Sequence, residues 1–287
     1  MKTTQTKTTS PVHRLHAGIL AARQRLDGAI RRTPCEPAMS LGGRTGVRFF
    51  LKREDLQRTG SFKERGARNA LALLSPEQRR QGVIAASAGN HALGLAWHGR
   101  LLGVPVTVVM PSTAPSVKVE NCRRYGADVV LHGATFDEAQ RHALQLAERS
   151  GRTFVPPFDD LAVIAGQGTV ALEVVEQVPD VDAVLVPVGG GGLLAGVVGA
   201  LRLSHPHVRI IGVEPANAAG FSAACSAGHP VRVVTRPTLA DGLAVAEVGQ
   251  HTFRLAQDVD YVVTVDECAL REAISALSAE CGVVAEG

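Results

Sequence analysis

The stretch that decides the fold is residues 183–193, which read AVLVPVGGGGL. The apolar residues before the glycines predict a buried strand, and residues 193–203 after them predict a helix. A strand that passes through bare glycines into a helix N-terminus brings backbone N–H groups together, and the helix dipole adds positive partial charge. The stretch therefore predicts an α/β fold with a phosphate-binding loop between strand and helix.

The glycine run by itself leaves three interpretations open. No Lys-Ser or Lys-Thr pair follows it, so the loop is not a Walker loop. Gly190, Gly192 and Ala195 have the spacing of a dinucleotide fingerprint, and Glu214 ends the next apolar run about 20 residues later, where a ribose-binding acid belongs. The run is thus compatible with a nicotinamide dinucleotide, a phosphorylated aldehyde, or a tight turn that binds nothing.

One lysine in an unusual setting favours the phosphorylated aldehyde. The sequence has only five lysines, and Lys63 follows a Gly-Ser turn and Phe62 in the predicted first turn of a helix. Ser61 and Glu64 have the spacing of a capping box for that helix. A lysine held against apolar surface keeps part of its amine neutral, and a neutral amine can form an imine with a carbonyl cofactor. A solvated helix lysine is the alternative.

Composition argues against several classes of protein. A chain of 287 residues with 45% hydrophobic residues can build one large or two modest domains. The net charge is only +3 and aromatic residues make up 4%, so we expect no nucleic-acid binding. The five cysteines lack metal-ligand spacing, which predicts no metal site and a cytoplasmic location. Residues 1–11 are predicted to be a disordered tail without a signal peptide, and no apolar run is long enough to span a membrane.

Apolar runs of strand length alternate with helical patterns through most of the chain, which predicts mainly parallel sheets flanked by helices. Residues 81–156 form a compact βαβαβα block, predicted to be a small domain, and two prolines mark its end. Residues 12–80 and 157–287 are predicted to form a discontinuous large domain that brings Lys63 near the glycines. A cofactor would then lie between the two lobes, at the carboxyl ends of the strands.

The chain resembles the serine/threonine dehydratases, pyridoxal-phosphate enzymes with the tryptophan-synthase-β type of fold, called fold type II. The resemblance runs from about Leu15 to Gly287 and implies a two-lobed α/β architecture. It is carried by ordered motifs, namely KREDLQ-x-TGSFK-x-RGA at 52–67, SAGNH at 87–91, PFDD at 157–160, AGQGT at 165–169, the glycine run, GVEP at 212–215 and DG-x-AV at 241–245.

The resemblance implies pyridoxal 5′-phosphate as cofactor and a role for each matching residue. Lys63 would hold the cofactor as an imine and act as the base at the substrate Cα. Phe62 would pack beside the ring, Asn90 would bond the 3′-oxygen, and Gly242 would place its carbonyl near the bound amino acid. The phosphate would be held by Gly189, Gly190, Gly191, Gly192 and Leu193. The substrate carboxylate would be held by Ser87, Ala88, Gly89, Asn90 and His91.

The activity implied by the resemblance is elimination of water from L-threonine and L-serine, giving 2-oxobutyrate or pyruvate and ammonia. Serine racemase and 3-hydroxyaspartate dehydratase are alternatives within the family. Racemases of the family carry a serine where this chain has Ala88, and alanine cannot accept a proton, so elimination is favoured. Racemase-like members also bind a metal through the counterpart of Glu214 and a nearby aspartate, but residues 218–220 read AAG.

Relatives are expected to continue beyond Gly287 with a helix, a strand and the residue that faces the pyridine nitrogen. A truncated chain that binds cofactor or amino acid without turnover is therefore a further alternative. The expected partners are a small amino-acid substrate and further copies of the chain, because the resemblance implies a homo-oligomer, either a dimer or a tetramer.

Overall fold

A computed structural model of the chain describes residues 10–43 and 46–286. Most of the predicted disordered tail, residues 1–9, lies outside the described residues. The first helix, α1 (Pro11–Leu26), begins inside the predicted tail. Ser10 caps it by accepting a hydrogen bond from the His13 N–H, and Pro11 occupies a first-turn position that needs no donor.

A four-stranded parallel sheet has the strand order β5–β4–β3–β6. Its strands are β3 (Val83–Ala86), β4 (Val106–Met110), β5 (Asp128–Leu131) and β6 (Thr153–Phe154). Its connecting helices are α5 (Asn90–Leu102), α6 (Ser116–Arg124) and α7 (Phe136–Ser150). Every residue of β3 and β4 is buried, as expected for parallel strands covered on both faces. Three strands were predicted correctly, and the two-residue strand β6 was missed.

A three-stranded parallel sheet has the order β7–β8–β9. Its strands are β7 (Ala183–Pro187), β8 (Arg209–Pro215) and β9 (Tyr261–Val265). The helices of this part are α8 (Leu161–Gln177), α9 (Gly192–Leu201), α10 (Gly220–Ala227), α11 (Gln250–Leu255) and α12 (Glu267–Cys281). The strand and helix predicted on either side of the glycine run are therefore β7 and α9. The parallel sheets and flanking helices confirm the predicted α/β class.

The remaining strands and α-helices precede the four-stranded sheet. They are the antiparallel pair β1 (Cys35–Pro37) and β2 (Phe50–Lys52), and the helices α2 (Met39–Gly42), α3 (Lys63–Ala72) and α4 (Pro76–Gln81). The helical pattern of residues 12–30 predicts a first helix that reaches Ile30, but α1 ends at Leu26, because Asp27 leaves the helical region with ψ 131°.

The largest core cluster joins α1, α8 and α9 to the three-stranded sheet, with Ile19, Ile164, Leu194 and Ile210 among its buried members. The helices α8 and α9 approach closely because glycines face each other. A Cβ on Gly196 would lie 2.6 Å from the backbone nitrogen of Gly168. The two larger sheets fall on either side of the boundary near residue 157, and the division into two domains stays a prediction. Among the described residues, no helix is long and apolar enough to cross a membrane.

Candidate active site

Lys63 is the first residue of α3, and its amine points into the interior. The Nζ donates a hydrogen bond to the Pro157 carbonyl at 2.8 Å and lies 5.4 Å from the centroid of the Phe62 ring. Burial lowers the pKa of Lys63 to about 8. A substantial fraction of this amine is therefore neutral at slightly alkaline pH, as nucleophilic addition to an aldehyde requires.

The turn that leads into Lys63 differs from the predicted capping box. Phe62 is the N-cap residue of α3, and no side chain caps it. The Lys63 N–H donates to Ser61 Oγ at 3.3 Å, whereas the Glu64 carboxylate accepts from the Thr59 N–H instead of the Ser61 N–H. The capping-box prediction is thus wrong, because the Glu64 side chain closes a longer loop.

The glycine loop has the geometry of an anion cradle. The N–H groups of Gly189, Gly190 and Gly191 donate to no acceptor within residues 10–43 and 46–286. The first N–H groups of α9 also lack partners inside the helix. Gly191 has φ +88°, a conformation that favours glycine. These free donors at a helix N-terminus fit a phosphate dianion.

Side chains from distant segments hold the glycine loop in place. A Cβ on Gly190 would overlap the Phe158 ring, and one on Gly192 would lie 2.9 Å from the Phe158 Cβ. Thr252 Oγ1 donates to the Gly190 carbonyl at 2.8 Å. Asp159 accepts from the N–H groups of residues 250–252 and so fixes the start of α11, which carries Thr252.

Residues 157 and 158 connect the lysine to the glycines. The Pro157 carbonyl bonds the Lys63 amine, and the ring of the next residue, Phe158, covers Gly190. The structure thus brings together two features that lie more than 120 positions apart in the sequence. An amine of lowered pKa and a cradle of free N–H donors match the aldehyde and the phosphate of a phosphorylated aldehyde such as pyridoxal phosphate.

The SAGNH turn forms the N-terminus of α5. Gly89 is the N-cap residue, and its N–H donates to Ser87 Oγ at 3.2 Å. The N–H groups of Ala88, Asn90 and His91 meet no acceptor in the described part of the chain. Asn90 Nδ2 donates to the Glu286 carboxylate. A helix start with free N–H groups suits a carboxylate, which is the role predicted for this turn.

The His91 side chain does not face that turn as an acid or base. Its ring is buried, and Nε2 donates to the Val155 carbonyl at 3.0 Å. Burial, assisted by the positive charge of Lys63, lowers the pKa of His91 to about 3. The imidazole therefore stays neutral, and only the backbone N–H of His91 is available to a ligand.

Gly242 lies in the 3₁₀ turn Asp241–Leu243. This turn borders the glycine loop, since a Cβ on Gly189 would lie 3.0 Å from Leu243 Cα. A Cβ on Gly242 would meet nothing within 4 Å, so this residue borders open space. Its predicted position near a bound amino acid stays a prediction.

Glu214, the candidate for ribose or metal binding, has a structural role. Its buried carboxylate accepts from the N–H groups of Phe221 and Ser222 at 2.6 and 2.9 Å, and from Ser222 Oγ at 2.6 Å. It thereby satisfies the N-terminus of α10. Among the described residues, no group of three potential metal ligands lies together.

A buried ion-pair network next to the site was not foreseen from the sequence. The Arg65 side chain is 2% exposed and pairs with Glu54 at 2.7 Å and with Glu173 at 2.6 Å. Lys52 also pairs with Glu173, at 2.5 Å. The signal for this network was the number of charges in residues 52–65, but charged residues are usually exposed and pairing cannot be read from spacing.

The fold and site define an enzyme that uses a phosphorylated aldehyde. Comparison with known families identifies the family to which this enzyme belongs. Residues 26–287 match the family described as pyridoxal-phosphate dependent enzyme. The chain therefore belongs to the pyridoxal-phosphate-dependent enzymes, and the nicotinamide alternative is wrong.

Three individual relatives show which members of this family the chain is similar to. The chain is 47% identical over 270 residues to an L-threonine ammonia-lyase of Thermotoga maritima, covering 94% of this chain and 67% of the relative. It is 43% identical to the catabolic L-threonine dehydratase TdcB of Escherichia coli K12, covering 82% of that protein. It spans only 41% of the biosynthetic threonine dehydratase 2 of Solanum lycopersicum, at 49% identity over 243 residues.

Solved structures agree with this placement. The processed form of threonine deaminase isoform 2 from Solanum lycopersicum superposes with a TM-score of 0.91 at 44% identity, covering 96% of this chain and 80% of that one. Maize serine racemase also has a TM-score of 0.91, at 34% identity, covering 94% and 82%. Both neighbours support the predicted fold.

Proposed function

We propose that this chain eliminates water from L-threonine, and from L-serine, to give 2-oxobutyrate or pyruvate and ammonia. The observation that carries the proposal is the Lys63 amine, of lowered pKa, joined through residues 157 and 158 to a cradle of free N–H donors. The relatives that match over most of this chain are named threonine ammonia-lyases and dehydratases, which supports the choice of substrate.

The geometry supports the residues that the family resemblance implies for pyridoxal phosphate. The Lys63 amine would be the attachment point for the aldehyde, and the phosphate would accept hydrogen bonds from the N–H groups of residues 189–193. Phe62 would border the ring, and the Asn90 amide, which donates to Glu286 in this structure, would bond the 3′-oxygen. When bound, the cofactor withdraws electron density from the substrate Cα and so weakens the Cα–H bond.

The substrate carboxylate is bound by the turn at the start of α5. The free N–H groups of Ala88, Asn90 and His91 supply donors. Ser87 Oγ already accepts from the Gly89 N–H, which leaves its own O–H free to donate to the carboxylate. The helix dipole adds attraction for the negative charge.

Lys63 performs the proton transfer. Its amine, once free, would accept the Cα proton, and the Cβ–O bond would break as the hydroxyl gains one proton and leaves as water, so that the Cα proton and the hydroxyl together balance the water that is lost. Addition of one water then releases the 2-oxo acid and ammonia, so one water is lost and one is gained. Proton transfer by a positioned base accelerates such a step by about 10²–10⁴. Ala88 offers no second base, which favours elimination over racemisation.

We also propose that the protein acts in the cytoplasm as a homo-oligomer, a dimer or a tetramer, as the family resemblance implies. All five cysteines lie in the described part of the chain and are free, which fits a reducing compartment. Sedimentation of the purified protein would measure the oligomeric state.

The test is a product assay with purified protein, pyridoxal phosphate and L-threonine. The proposal predicts 2-oxobutyrate and ammonia in equal amounts, and no product from Lys63→Ala. A chain that binds pyridoxal phosphate and threonine but releases neither product would refute catalysis and leave a binding protein. Turnover of 3-hydroxyaspartate in preference to threonine would refute the substrate assignment.

A further inference from the structure

A buried carboxylate follows the reactive lysine directly in the sequence. Glu64 is 2% exposed, although glutamate is rarely buried unless its charge is paired. Its Oε1 accepts a hydrogen bond from the Thr59 N–H, and its Oε2 lies 3.2 Å from Nε2 of His98 on α5. Both carboxylate oxygens are thus used, one toward the turn before Lys63 and one toward the neighbouring helix.

The tautomer of His98 follows from its hydrogen-bond partners. The His98 side chain is fully buried, and its Nδ1 has no hydrogen-bond partner among the described residues. A proton on Nδ1 would be an unsatisfied buried donor, which is costly. The neutral tautomer with the proton on Nε2 avoids this cost and lets His98 donate to Glu64. The pair therefore acts as one charge-assisted hydrogen bond.

The same contact joins the two parts of the site. One helical turn before His98, a Cβ on Gly94 would lie 3.3 Å from the Lys63 carbonyl oxygen and 3.4 Å from Glu64 Cα. The α5 backbone thus packs directly against the lysine residue. The N-terminus of α5 carries the turn 87–91, which is the proposed carboxylate site. Glu64 therefore joins the segment that carries Lys63 to α5, whose N-terminus is the proposed carboxylate site.

We propose that Glu64 and His98 are positioning residues that set the Lys63 amine against the substrate Cα. Glu64 anchors the loop from Thr59 to Lys63, in which Gly60 has φ +82°, and His98 ties this anchor to α5. A misplacement of about 1 Å between a base and its proton can cost about 10²-fold in rate. The proposal rests on the proposed function of Lys63 but concerns contacts present in the apoprotein.

Three variants distinguish a positioning role of the Glu64–His98 pair from a contribution to the stability of the fold alone. Glu64→Leu removes both acceptors, and Glu64→Gln keeps a carbonyl acceptor for the Thr59 N–H. The double variant Glu64→Leu/His98→Leu replaces both partners with apolar groups, so the imidazole is not left unpaired; only the Thr59 N–H loses its acceptor, and the variant is expected to fold. Leu201→Ala, a core substitution at the far end of α9, is the control for lost stability.

The first readout is amide hydrogen exchange of the peptide containing Thr59 in the apoprotein. The second is the rate at which the apoprotein reacts with added pyridoxal phosphate, followed by absorbance, together with kcat and KM for threonine. We expect Thr59 exchange to rise by ~10-fold or more in Glu64→Leu and in the double variant, and to stay near wild type in Glu64→Gln. The rate of reaction with pyridoxal phosphate and kcat should fall in Glu64→Leu and in the double variant and stay near wild type in Glu64→Gln. KM for threonine should change less.

Two results would overturn the proposal. One is unchanged Thr59 exchange in both leucine variants. The other is a double variant that regains the wild-type reaction rate and kcat, or whose reaction rate and kcat fall no more than those of Leu201→Ala. Either outcome would mean that the pair serves stability alone. Failure of the proposed function is distinguishable, since it would show as absence of product in the wild-type protein, whatever the exchange of Thr59.

Discussion

Burial of the Lys63 amine makes the stability of the apoprotein depend on pH. The perturbation is Lys63→Met, which keeps a long side chain and removes the charge. Lys118→Met is the matched control, because the Lys118 side chain is 36% exposed and pairs with Asp241 on the surface. Both variants are compared with wild type after removal of pyridoxal phosphate, since the bound cofactor would consume the amine.

The magnitude follows from the pKa of Lys63, which burial lowers from 10.5 to about 8. At about 1.4 kcal/mol for each pKa unit, the buried charge costs the folded state about 3 kcal/mol below pH 8. Between pH 8 and 10.5 the unfolded state binds more protons than the folded state, so the free energy of unfolding rises with pH. Above pH 10.5 the amine is neutral in both states and the penalty is gone.

Urea unfolding from pH 7 to 10.5 measures this contribution. Lys63→Met should be more stable than wild type at pH 7, and its advantage should shrink by about 3 kcal/mol by pH 10.5. Other groups that titrate in this range cancel in the difference between variant and wild type. Lys118→Met should change by less than about 1 kcal/mol over the same range. A stability difference between Lys63→Met and wild type that is independent of pH would refute the buried, destabilised ammonium.

Three further substitutions test other parts of the structure. Gly190→Ala should weaken pyridoxal phosphate binding in a cofactor titration, and it should destabilise the fold by about 1–3 kcal/mol in urea, because the added methyl group overlaps the Phe158 ring. Adding Phe158→Ala to this variant should recover part of the stability. No recovery would contradict the clash. Arg65→Met should lower the free energy of unfolding by about 3–5 kcal/mol, because it removes the buried guanidinium from the partly buried carboxylates of Glu54 and Glu173 and leaves Glu173 with Lys52 alone. A loss below about 1 kcal/mol would mean that the pairs contribute little. Ala88→Ser should raise D-serine formation from L-serine, measured by chiral chromatography, and no gain would count against Ala88 as the reason for elimination.

Local patterns predicted the main elements of the site well. The strand, glycines and helix around residue 190 and the turn at Asn90 lie where their sequences indicate, because each depends on neighbours in the chain. Asp160 caps α8 through two backbone N–H groups, as its position before the helix predicts. Helix starts and glycine turns are specified locally, so they can be found without tertiary information.

The contacts between these elements could not be predicted in this way. Pro157 and Lys63 are 94 residues apart, and only the fold brings them together. Glu64 shows the same limit within a motif. Its spacing from Ser61 satisfied the capping-box pattern, but the buried His98 on another helix and the Thr59 N–H offered better partners. Tertiary packing thus overrode a local preference next to the most important residue.

The measurement that tests the central claim most directly is the visible spectrum of the purified protein with pyridoxal phosphate, before and after addition of L-threonine, beside Lys63→Ala. Lys63 as attachment point and base predicts an imine band in wild type that changes on addition of threonine while 2-oxobutyrate accumulates. Lys63→Ala should show neither the lysine-dependent band nor product. An identical band in Lys63→Ala, or no band in wild type, would contradict the account.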